Sequence, residues 1–129
     1  MTYADPVELI RHAITQTTGQ ATRRVLNPDF TTGPMPIIHV HHTDGTADDI
    51  DRVDTIGVDV YHHTPTTPTD NSAPRIASRI RDALAVCGIT TGAGLIDEVS
   101  VRAEPVTRPY FETVEVASMV LDVTHRPTD

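Results

Sequence analysis

Ile56, Val58 and Val60 alternate along the chain with Asp59 and Tyr61. A period of two matches an extended strand, whose successive side chains point to opposite faces, and not the stripe of an amphipathic helix. One face of that strand must therefore meet a core. The pattern predicts a strand over residues 53–63, and a second over 36–43, where Ile38, Val40 and His42 share one face and Ile37, His39 and His41 the other. Between them, residues 43–52 are polar with Gly45 as the turn signal, and read as a loop. A short strand is expected over 21–26, followed by a Pro- and Gly-rich loop over 27–36.

Two further strands close the chain. Val99, Val101 and Ala103 alternate in the first. In the second, Val114 and Val116 are even, whereas Met119, Leu121 and Val123 are odd. That switch of parity predicts either a bulge near Ala117 and Ser118 or a strand buried on both faces.

Helices are marked by their ends. Asp5 precedes Pro6 and stands three residues before Glu8, a capping-box arrangement, and Val7, Ile10 and Ile14 recur at helical spacing before Gly19. This predicts a helix over 6–17. The Thr- and Pro-rich stretch 64–70 cannot continue a sheet. After it, Asn71 or Ser72 caps a second helix with Pro74 in its first turn. Its apolar stripe is Ile76, Ile80, Ala83, Leu84 and Cys87, with Gly88 as the stop. The expected order is α-β-β-β-α-β-β: an α+β fold with a mostly antiparallel sheet of about five strands and two helices packed on one face. A chain of 129 residues has the length of one domain, 1–129.

Composition narrows the function classes. The formal net charge is −8 and no window supplies the basic stripe that phosphate recognition needs, so nucleic acid is not expected as a specific partner. No apolar run approaches the roughly 20 residues of a membrane span. The N-terminus lacks the basic and apolar regions of a secretory signal, and synthesis in a cytoplasm is expected. The single cysteine, Cys87, excludes an internal disulfide framework and a multi-cysteine zinc site.

Histidine is the loudest chemical signal. His39, His41 and His42 lie on one strand, and His62 and His63 at the end of the next. His39 and His41 share a face, as a two-histidine metal clamp requires. In a compact hairpin, however, position 41 pairs near 54 and 39 near 56. His62 and His63 then lie on the order of 20 Å away. A polar sheet face, or a histidine-rich patch at a subunit contact, is the expectation, with no metal and no cofactor. The acids Asp44, Asp48, Asp49, Asp51 and Asp54 lack the glycine position and closing glutamate of a calcium loop, and read as a solvated loop. Gly92-Ala93-Gly94 has no phosphate-binding lysine and reads as a flexible connection. Cys87 reads as a buried helical thiol, Glu98, Glu104, Glu112 and Glu115 as the wet face of the last hairpin. No nucleophile–base set is present, and no enzymatic activity is expected.

The ordered pattern as a whole resembles the tail-terminator, or tail-completion, family of long-tailed bacteriophages. The resemblance rests on the capped first helix, Pro36-Ile-Ile-His-Val-His-His-Thr-Asp-Gly45, Thr55-Ile-Gly-Val-Asp-Val-Tyr-His62, the helix Ala73-Pro-Arg-Ile-Ala-Ser-Arg-Ile-Arg-Asp-Ala-Leu84, then Glu104-Pro105, Arg108-Pro-Tyr110 and a last Val-rich strand. It implies a structural virion protein at the head–tail junction. Its subunits would form a homo-oligomeric ring, usually a hexamer, that caps the tail tube and stops its polymerisation. The implied partners are the major tail tube protein and the head connector or stopper protein, with genome DNA passing through the lumen without specific binding. A head-completion or stopper subunit of the neck, and a small metal-binding enzyme, are the alternatives. The projecting loop 43–52 is expected to be mobile in the free subunit and ordered in the assembled tail, because Ile50 alone cannot offset an ordering cost of roughly 1–2 kcal/mol per residue. Asp44, Asp48, Asp49, Asp51 and Arg52 on it, with Arg79 and Arg81 on the second helix of a neighbour, form the candidate subunit interface. The Val-rich strand, with Val114, Val116, Met119 and Leu121 of both parities, is expected to bury side chains beyond the subunit's own core.

Overall fold

The computed structural model describes residues 3–47 and 52–127, with 44–47 by their backbone. Helix α1 (Pro6–Thr18) begins where Asp5 accepts a hydrogen bond from the Val7 amide. It ends at Gly19, whose φ of +74° is the left-handed conformation that suits a glycine cap. Helix α2 (Ala73–Leu84) starts after Ser72, whose carbonyl accepts the first helical bond; its hydroxyl donates to the Thr69 carbonyl and does not cap.

The strands are β1 (Ile37–Ala47), β2 (Arg52–His63), β3 (Cys87–Thr91), β4 (Gly94–Phe111) and β5 (Val114–His125). They form one antiparallel sheet in the order β1-β2-β5-β4-β3. The α+β class, the five strands and the two helices are as the pattern predicts, but the order is α-β-β-α-β-β-β. Residues 21–26 are not a strand: only Arg23 bridges, parallel to His39, donating to the Ile38 carbonyl and accepting from the Val40 amide. The missing strand is β3, a short edge strand of which only Ile89 and Thr91 are buried. Cys87 belongs to it and is exposed, not buried on α2. Gly88 takes φ +75° inside this strand rather than stopping a helix. Gly92 and Ala93 make a tight hairpin turn, with their following amides held by the Thr91 hydroxyl.

Both helices lie on one face. Leu9, Ile10 and Ile14 of α1 and Ile76, Ile80 and Leu84 of α2 pack against Ile38, Val40, Ile56, Val58, Val60, Met119 and Leu121. The parity switch in β5 is resolved by the second of its two readings. β5 runs beside β2 in unbroken register from Arg52↔His125 to His63↔Val114, so no bulge interrupts it near Ala117. Val114 and Val116 instead turn to the other face, where they meet Ile37 and Tyr61 under Leu26, Phe30 and Met35 from the loop before β1. All four residues expected to bury against a neighbour, Val114, Val116, Met119 and Leu121, are buried within this subunit. The bulges lie in β4, at Val101/Ala103, Ala103/Val106 and Pro109/Phe111.

The supposed long loop is mostly sheet. β1 continues through a register shift after His42 to the pair Ala47↔Arg52. Asp48, Asp49 and Asp51, and with them the expectation of a mobile loop, lie outside the described residues. Asp44 sits within β1 opposite Thr55.

Candidate functional site

Strand parity sorts the histidines into separate places. His39 and His41 stand on the face away from the helices, opposite Asp59 and Gly57 respectively; the expected pairing was three residues off, because the two strands pair about a point later in the chain than the middle of the polar stretch 43–52. His41 Nε2 lies 2.9 Å from Asp59 Oδ2, and His39 Nδ1 lies 4.0 Å from the same oxygen. His39 Nε2 donates to the Arg24 carbonyl at 3.1 Å, which defines a tautomer with a bare Nδ1 turned toward Asp59. The two imidazoles lie 4.9 Å apart, tilted by 31°. Burial, and then the neighbouring His41 ring, push the His39 pKa down, against the Arg24 carbonyl and Asp59, which raise it. The room for His41 comes from Gly57: a β-carbon there would stand 2.3 Å from Cε1 and 2.5 Å from Nε2 of the ring. A glycine inside a strand often marks such a close approach.

His62 and His63 do not join them. His62 Nε2 donates to the Asn71 side-chain oxygen at 3.0 Å, and its Nδ1 accepts from the His63 amide. The sequence reading separated the two histidine pairs correctly but tested histidine only against histidine. Asp59 is the group it missed. A carboxylate directly across the hairpin was the available signal, and it required the true register to be seen.

A second cluster occupies the helix-facing side. Asp54, read as part of a solvated acidic loop, is fully buried. It accepts from His125 Nε2 at 2.7 Å, His42 Nε2 at 2.7 Å and Arg52 Nε at 2.9 Å. Burial raises the Asp54 pKa, but the three donors outweigh it and hold the carboxyl below its ordinary value. His125 is buried, and its Nδ1 has no hydrogen-bond partner among the described residues. The Tyr3 ring packs edge-on to it and under the Arg52 guanidinium. Every oxygen of Asp54 is thus engaged within the subunit, and Arg52 with it.

The remaining interface candidates are also placed. Arg81 makes two bonds to Glu104 on β4, at 2.9 and 3.1 Å, and Arg79 donates to the Asp70 carbonyl. Both stand on the exposed side of α2. The surface depressions are shallow, about 460 Å³ beside α1 and about 500 Å³ between Leu95 and Arg126. In the first, Arg11 pairs with Glu8 and the Thr15 hydroxyl donates to the Gln20 carbonyl.

One surface is uncovered. β3 pairs β4 only as far as Glu98, and Val99 bonds to Val86 beyond it. From residue 102 to 111, β4 has β5 on one side and no strand on the other among the described residues. Val106, Tyr110 and Phe111 are exposed there, at 63%, 46% and 56%. Tyr110 extends an aromatic group with Phe30 and Tyr61, where burial, followed by Asp59, pushes the Tyr61 hydroxyl up to about 12.

No helix among the described residues is long and apolar enough to cross a membrane. Compared with protein-family models and with curated proteins, the sequence matches none.

Proposed function

We propose that this chain is a structural subunit of a phage tail terminator, assembling as a ring, most simply sixfold, between the tail tube and the head connector. The observation that carries the reading is the open outer stretch of β4, residues 102–111, with Val106, Tyr110 and Phe111 exposed along it. Isolated apolar side chains on a surface need no explanation, but a long strand uncovered on one edge is a template for association unless it is blunted. Here Pro105, Pro109 and the bulges disrupt the edge's hydrogen-bonding ladder. They oppose indefinite strand-on-strand growth and leave the apolar side chains as the contact. A head-to-tail contact of this kind closes into a ring when its rotation permits. The resemblance in element order and the two-helix, one-sheet fold support the same reading. So does the acidic balance of −8, which suits a channel through which DNA passes without adhering.

Cryo-EM of the neck of the virion that carries this chain is the decisive experiment. A ring of the chain on the tail tube is expected. The paired variants Val106→Asp and Phe111→Asp should fold, yet leave tails without the ring and of uneven length. A ring lying within the connector, on the head side, would assign the chain to a stopper or head-completion role. Micromolar, salt-sensitive binding to duplex DNA would contradict the inert channel.

A further inference from the structure

We propose that His39 Nδ1, His41 Nε2 and Asp59 Oδ2 form a site for one zinc-class divalent cation on the open face of the β1–β2 hairpin. The three donor atoms already lie within 4.8 Å of one another. They come from two strands whose register sets His39 directly across from Asp59, with His41 one repeat along on the same face. Zinc holds nitrogen and oxygen ligands at about 2.0–2.2 Å, so the edges of its tetrahedron are about 3.4 Å. The observed separations from Asp59 Oδ2, 2.9 Å to His41 and 4.0 Å to His39, bracket that edge, and small side-chain rotations reach it.

Two features around the ligands match what a metal site needs. Metal-bound imidazoles usually donate their other nitrogen to a carbonyl or carboxylate, which fixes ring and tautomer. His39 does so to the Arg24 carbonyl. Gly57 then gives His41 the space to lay its ring across β2 toward the carboxylate. The Arg24 guanidinium is engaged elsewhere, pairing with Asp5 at 2.7 Å and with Glu8. Two imidazoles and one carboxylate are a donor set for zinc, and equally for nickel, copper or iron(II). Three protein ligands leave a fourth position for water or for a donor from another molecule. All three ligands are half-buried, so that position opens to solvent. This inference does not depend on the assembly role proposed above, and it runs against the expectation of a metal-free histidine face, which the experiment below decides.

The test uses the full chain without a histidine tag. Equilibrium dialysis against zinc chloride, read by elemental analysis, should give one equivalent per chain. Cobalt(II) should give the visible d–d band of a low-coordinate site. His41→Ala and Asp59→Asn should each weaken binding about a hundredfold or more, and His62→Ala with His63→Ala should leave it unchanged. Gly57→Ala should also lose the ion while retaining all three ligands, and circular dichroism of each variant checks its fold. Absence of zinc at micromolar concentrations, or equal loss in the His62/His63 control and in His41→Ala, would overturn the site.

Discussion

Asp54 and Asp59 stand on the same strand, each beside at least one histidine from β1, and they do opposite things. Asp54 faces the helices and is fully buried. Its oxygens are satisfied by His125, His42 and Arg52, and nothing more can enter. Asp59 has the opposite parity and faces away from the helices. It meets one imidazole at hydrogen-bond distance and a second at 4.0 Å, and its side chain remains 19% exposed. The same pair of residue types is thus a structural lock in one place and a partly exposed, less constrained cluster in the other. The difference is the number of donors and the access of solvent, both set by which face a strand position takes.

Removing each carboxylate should separate the two roles most sharply. Asp54→Ala leaves buried His125 without its acceptor and opens a void beneath Arg52 and His42. A loss of about 3 kcal/mol or more is expected in urea unfolding, because a buried, charge-assisted network is broken. Asp59→Ala in the metal-free protein should cost less than about 1 kcal/mol, since its partners can return to water. Equal losses for the two would remove the distinction.

Acid should act on Asp54 next. Its folded pKa lies below the unfolded value of about 3.9, so the unfolded chain binds more protons in that range. The contribution is complete above about pH 3.9 and is lost as pH falls through the lower folded value. Unfolding free energy measured from pH 5 downward should therefore decline in the wild type. In Asp54→Asn that share of the decline should be missing. A parallel decline in both proteins would show that the three donors do not hold the carboxyl low.

The smallest expected effect is at Gly57. The atoms that a new β-carbon would meet belong to the end of the His41 side chain, which is partly exposed and free to swing outward. Relief of unfolded-chain entropy by Gly57→Ala is worth about 0.4–1 kcal/mol and opposes the crowding. Metal-free stability should stay within about 1 kcal/mol of wild type, by thermal or urea melting, and only the response to zinc should vanish. A large loss of apo stability would place Gly57 in the packing of the sheet and not in the shaping of the histidine face.

Local interactions were legible in the chain, and so were parities. Asp5, Pro6 and Gly19 bound α1 through contacts within a few residues of themselves, and the alternation in β2 needs no partner to be read. Strand β3 was hidden because an exposed edge strand with two buried side chains leaves almost no periodic signal. Asp54 looked like its acidic neighbours, since nothing next to it in sequence announces that His125, 71 residues away, will cap it. Likewise, Asp59 entered the histidine site only once the hairpin register was known.

The sequence by itself determined an antiparallel sheet with two helices on one face, because hydrophobic period, helix-end residues and proline positions act over a turn or a few residues. Tertiary structure alone decided the rest. It set the register that puts Asp59 rather than His62 beside His39 and His41. It recruited the loop carrying Leu26, Phe30 and Met35 to cover Val114 and Val116. It also left the outer stretch of β4 open. Each of these depends on pairing between distant segments, whose free energy is shared across the whole sheet and is written at no single position.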